Sequence, residues 1–222
     1  GDLETVEEVL REFPELTNEA DLPDTEGTPL HHACNHGVLE SIQFLFTWEG
    51  VDLNARNDDG MTPLHSSCFD SVLRDNWRVV EYLVAQPGVD VNATDNDGNT
   101  ALHLACNDDN HLLTIKALAT HEETDLNAKN TKGDTPLQNA CIKANLKVMK
   151  LLAKQERTDL SAENNQGSTP FHHVCNGGHF NAMKWLARRT DINARNNNGN
   201  TPLHLACFGG NYEVVGWEHD GQ

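Results

Sequence analysis

The chain has 222 residues, 37% apolar and 23% charged, a composition that excludes a disordered or membrane-embedded protein. Its formal net charge of −18 repels phosphate backbones and argues against nucleic-acid binding. No apolar run approaches the roughly eighteen residues of a spanning helix, and residues 1–10 lack the basic-then-apolar layout of a secretion signal.

In chain order, residues 1–24 hold a segment from Leu3 to Phe13 that reads as the second helix of a helix pair, so the chain opens halfway through a unit. One phrase then recurs: Thr28-Pro29-Leu30-His31, Thr62-Pro63-Leu64-His65, Thr100-Ala101-Leu102-His103, Thr135-Pro136-Leu137-Gln138, Thr169-Pro170-Phe171-His172 and Thr201-Pro202-Leu203-His204. It divides the chain into units 25–56, 57–94, 95–129, 130–163 and 164–195, with 196–222 an incomplete unit or cap. Threonine supplies an N-cap acceptor, and proline fills the first helical position, where a missing N–H costs nothing. A helix starts there. Leu64, Ser67 and Cys68 fall on one of its faces at helical spacing.

Gly37, Gly178 and Gly210 mark where the first helix stops in a left-handed turn. A second helix follows, with apolar residues three and four apart, as at Ile42, Leu45 and Phe46 or Val148, Leu151 and Leu152. Between units, the Asn/Asp/Gly clusters at 57–60, 95–98 and 196–199 predict projecting hairpin tips. The second unit is the longest, with about four extra residues around 70–77; the insertion reads as either a tolerated loop or a partner contact. Near the end, Glu218 stands where other units carry leucine, so 216–222 reads as tag-derived, mis-registered or a polar cap.

Six cysteines, at 34, 68, 106, 141, 175 and 207, are spaced 34, 38, 35, 34 and 32 apart, which makes them one structural slot repeated. Equivalent slots in a linear stack lie about 10 Å apart, too far for a disulfide. Reduced thiols point to an intracellular compartment, cytoplasmic first and nuclear as the alternative.

The Thr-Pro-Leu-His period resembles the ankyrin repeat along nearly the whole chain. The resemblance implies an all-α solenoid of stacked helix-turn-helix units with projecting β-hairpin turns. A single unit cannot bury its apolar face, so neighbours stack into one continuous core. It also implies a monomeric protein-protein interaction scaffold rather than an enzyme, with a structural role for the repeat histidine.

Catalytic and metal readings rest on His31-His32-Ala33-Cys34 with His36 and on His172-His173-Val174-Cys175 with His179. Against a metal, the same slot recurs in His65, His103 and His204 and no paired Cys-x₂-Cys occurs. No phosphate loop or nucleophile elbow is present, so neither catalytic residues nor a cofactor are expected. Asn92-Ala93-Thr94 reads as a chance glycosylation sequon, and Lys143, Lys147, Lys150 and Lys154 read as a solvated outer face rather than a phosphate or lipid site.

Carried over from the family, partners contact the hairpin tips and the exposed side of the first helices. The expected positions are Arg56, Asp58, Asp59, Met61, Thr94, Asn96, Asp97, Asn99, Lys132 and Asp134 on the tips. On the first helices and just beyond they are Phe69, Asp70, Asn107, Asp108, Ile142 and Phe208. Phe69, Ile142 and Phe208 are the candidate anchors, each with packing on a neighbouring turn as the alternative. Residues 1–110 carry 23 acids and 4 bases, so the partner segment is expected to be basic. The alternative function is a substrate- or host-target-recruiting module of a larger enzyme or effector.

Overall fold

The computed structural model describes residue 18 and residues 27–69 and 76–216. The expected helix at 3–13, the insertion residues 70–75 and residues 217–222 lie outside them. Twelve α-helices are present among the described residues: α1 (Pro29–Asn35), α2 (Leu39–Leu45), α3 (Pro63–Ser66), α4 (Trp77–Val84), α5 (Ala101–Ala105), α6 (Leu112–Thr120), α7 (Pro136–Ile142), α8 (Leu146–Leu152), α9 (Pro170–Asn176), α10 (Phe180–Leu186), α11 (Pro202–Phe208) and α12 (Tyr212–Val215). First helices (odd-numbered) pack on first helices of the next repeat, as in α1 on α3 and α9 on α11, and second helices stack likewise, as in α4 on α6.

Each first helix begins in a reciprocal cap. The Thr62 side chain accepts the His65 backbone N–H, and His65 Nδ1 accepts the Thr62 N–H at 3.1 Å. The same box stands at Thr28, Thr100, Thr135, Thr169 and Thr201. Three reversals place a left-handed glycine, Gly37 at φ 66°, Gly178 at φ 68° and Gly210 at φ 67°, while Ala144 occupies the same slot at φ 60°. The third unit instead turns through a short 3₁₀ helix at Asp109–His111 with no positive φ. The second helices turn one stripe inward, with Val148, Met149 and Leu152 of α8 fully buried. These stripes and residues such as Leu137 form one core running along the stack. Burial of a leucine this complete is worth about 1.5–3 kcal/mol.

The expected β-hairpin tips are turns with no strand among the described residues: each closes on backbone bonds, such as Asn57 N–H to the Met61 carbonyl (3.0 Å) and Gly60 N–H to the Asn57 carbonyl (2.8 Å), and side-chain capping reinforces them. Asn57 Oδ1 accepts the N–H groups of Asp59 (3.1 Å) and Met61 (2.8 Å), and Asp95, Asn130, Asn164 and Asn196 repeat the device. Successive tips are joined by one backbone bond each, such as Asn96 N–H to the Asp59 carbonyl at 2.9 Å.

A second ladder joins the repeats at the ends of the outer helices. Asn54 Nδ2 donates to the Gly88 carbonyl (2.7 Å) while its Oδ1 accepts the Asp90 N–H (2.8 Å). Asn18, Asn92 and Asn127 do the same to their following repeats. Ser161 occupies the next slot, is too short to span it, and makes no such bridge. Arg157 clamps the end of α6, its guanidinium donating to the carbonyls of Thr124 (2.9 Å), Glu122 (3.1 Å) and His121 (3.1 Å).

Candidate interaction surface

The side chains that carry polar chemistry divide into those consumed by the stack and those left open. The repeat histidines are consumed. Nδ1 of His31, His65, His103 and His172 accepts a threonine N–H, so Nε2 carries the hydrogen and donates to the next repeat, at Met61, Asn99, Asp134 and Asn200 carbonyls 2.9–3.1 Å away. Burial lowers the proton affinity of all four. With both ring nitrogens engaged, none has a lone pair free for a metal, and no cluster of three or more metal-ligating side chains occurs among the described residues.

Five cysteines are buried and inert, with the Cys175 thiol pushed up to about 12 by burial. The repeated slot is not uniform in its surroundings, because Cys207 is exposed. Its neighbours on α11, Leu203 and Phe208, are 52% and 73% exposed, whereas the equivalent Leu137 is fully buried beneath the following helix pair.

On the tips, Asp58, Asp59 and Asp97 are exposed, and among the described residues their carboxylates meet no hydrogen-bond donor. Their backbone carbonyls hold the adjacent tips instead: Asp58 accepts Asn96 Nδ2 and Asp97 accepts the Thr131 N–H. Arg56 is exposed but donates to the Thr94 carbonyl at 2.6 Å. Met61 and Asn99 are half-buried; the Asn99 side chain lies between Asp95 and Asn130. Thr94, Asn96 and Lys132 are exposed.

Asp134, like the turn-capping Asp95, is a tip acid turned inward, only 4% exposed, so its carboxylate serves the stack rather than the surface. Burial alone would raise its carboxyl, but hydrogen bonds from His173 and from Asn164 (2.7 Å) outweigh that and hold it below the ordinary range.

Along the first helices, Phe69 (51%), Ile142, Phe208 and Asn107 are exposed at the slot after the cysteine, and Asp108 is exposed one residue further on. Asp70 and the side chain of Asp109 lie outside the described residues. Val38 and Leu113 are also exposed apolar groups; only their position on the solvent side of a packed helix, a tertiary fact, reveals them.

A family model for ankyrin repeats matches three times, over residues 1–95, 69–164 and 155–217. This chain belongs to the ankyrin-repeat family, whose members are generally protein-protein interaction modules and typically non-catalytic. A 41-residue stretch is 39% identical to the human SMC5-SMC6 complex localization factor protein 1, covering 18% of this chain and 4% of that protein. No helix among the described residues is long and apolar enough to cross a membrane.

Proposed function

We propose that this chain is a non-catalytic, monomeric intracellular scaffold that holds a partner protein by a basic segment, on the concave side lined by the tips and first helices. The observation that carries the reading is the set of three exposed, unbonded carboxylates on adjacent tips, Asp58, Asp59 and Asp97, with the exposed ring of Phe69 at the end of the neighbouring first helix. Such carboxylates speed the encounter with a cation-rich segment, and a desolvated aromatic ring slows its departure. Asp134 has no part in it.

The test is polarisation binding of a labelled Lys/Arg-rich peptide at about 50 mM and about 500 mM salt, where the screening length falls several-fold. Affinity should drop with salt and fall at least about tenfold in Asp58→Lys/Asp59→Lys. Affinity indifferent to both would overturn the basic-partner reading.

A further inference from the structure

Opposite in sign to the tips, the outer helices of the third to fifth described repeats carry only cations. Lys116, Lys150 and Lys184 each follow the buried apolar residue of their helix, Ile115, Met149 and Met183, so they occupy one slot in three successive repeats. Packed helices place such slots about 10 Å apart. Lys154 and Arg188 repeat the pattern four residues on, and all five are exposed. Helices α6, α8 and α10 contain no Asp or Glu. The fold does not demand a cation there, because the equivalent positions of α2 and α4 hold Gln43 and Glu81.

The pairing pattern is informative. The chain has 34 acids to 16 Lys and Arg, so a surface lysine placed without constraint has abundant carboxylates to meet. Yet among the described residues Lys116, Lys150, Lys154 and Arg188 form no ion pair, and Lys184 rests over its own Phe180 ring at 5.2 Å. Five open cations on one face, inside a strongly acidic molecule, raise the local potential and favour an anionic occupant.

We propose that this outer face is a second docking surface, taking an extended Asp/Glu-rich segment of a partner protein. Spacing supports a peptide: one turn of a polyproline II segment, three residues at about 3.1 Å each, spans roughly one slot to the next, so an acid at every third residue lies on the side that faces the row. A bilayer or a nucleic acid fits less well. Both are extended polyanions that also face the remaining acidic surface of a chain with net charge −18, whereas a short segment feels only charges within a screening length of about 8 Å. The aromatic rings on this face are covered by their own cations, Phe180 by Lys184 and Trp185 by Arg189 at 4.5 Å, and so are not presented for insertion into lipid. The surface is independent of the tips, so either can fail alone.

The experiment is polarisation binding of a labelled peptide of Glu-Ser-Gly repeats at physiological salt, compared with sedimentation on equimolar phosphatidylcholine/phosphatidylserine vesicles. Wild type should bind the peptide, and Lys116→Glu/Lys150→Glu/Lys184→Glu should weaken binding at least about tenfold. Arg78→Glu, on the outer face of α4, changes charge in the same sense and should alter it by less than about twofold. Circular dichroism checks that the triple variant is folded, and the solvent-exposed slots, one already glutamate in α4, tolerate the change. An unaltered affinity in the triple variant, absence of peptide binding, or vesicle binding that exceeds it and depends on the same lysines would each overturn the proposal.

Discussion

Gln138 and His103 make the same bridge with different chemistry. His103 accepts the Thr100 N–H at 3.1 Å and donates to the Asp134 carbonyl at 2.9 Å. Gln138, one repeat on, accepts the Thr135 N–H through Oε1 at 2.8 Å and donates through Nε2 to the Ser168 carbonyl at 2.7 Å. Both are fully buried, but only one of them can take up a proton.

That difference sets a pH dependence. Burial, the largest influence, lowers His31, His65, His103 and His172 below their ordinary value of 6.5, although the carbonyl each reaches pulls the other way. As pH falls, the unfolded chain therefore binds protons before the folded one. The stability is full above 6.5 and is lost as pH drops through the depressed folded values. Urea midpoints should decrease between about pH 7.5 and about pH 5.5, above the carboxylate range. His103→Gln should fold and show a shallower decrease, whereas His103→Ala should lose about 2–3 kcal/mol at neutral pH by stranding buried polar groups. An equal pH slope in His103→Gln would refute the assignment.

Ser161→Asn should repair the interrupted ladder. The new amide lies in register to donate to the Arg189 carbonyl and accept the Asp191 N–H, as Asn127 does with Arg157 and Asp159. Stability should rise by about 1 kcal/mol, and Asn54→Ala should cost about 1–2 kcal/mol, both read from denaturant midpoints.

Ala144→Gly should stabilise by about 1 kcal/mol. A side chain at φ 60° is strained, and glycine relieves it where Gly37 and Gly178 already serve. A lower melting temperature for this variant would contradict the account.

Cys207 should be alkylated by iodoacetamide far faster than the other five thiols in the native protein, with all six reacting in urea. The fast thiol would report exposure at the end of the described stack, not a nucleophile. Its substitution by serine should cost less than about 0.5 kcal/mol, against about 2 kcal/mol or more at Cys106.

The repeat, its capped helix starts and the shared cysteine slot were legible because each is local and periodic: Thr62, Pro63 and Gly37 act through residues within a turn of themselves. Pairings between repeats were less so. Asp134 looked like an exposed tip acid because its burial depends on Asn164 and His173, some thirty to forty residues away. The Arg157 clamp has no signature in its own unit, since its acceptors lie at the end of α6. Lys116 and Lys184 join Lys150 as a row only when second helices are superposed across units.

The gap at Ser161 also bears on how the chain opens. In a linear array each unit is held only by its neighbours, so one weakened seam divides the cooperative whole. Amide hydrogens of α9 to α12, beyond that seam, should exchange through a low-energy opening in which the last units fray while α5 to α8 stay protected. The solenoid thus carries a built-in hinge point for partial unfolding, placed by the length of one side chain.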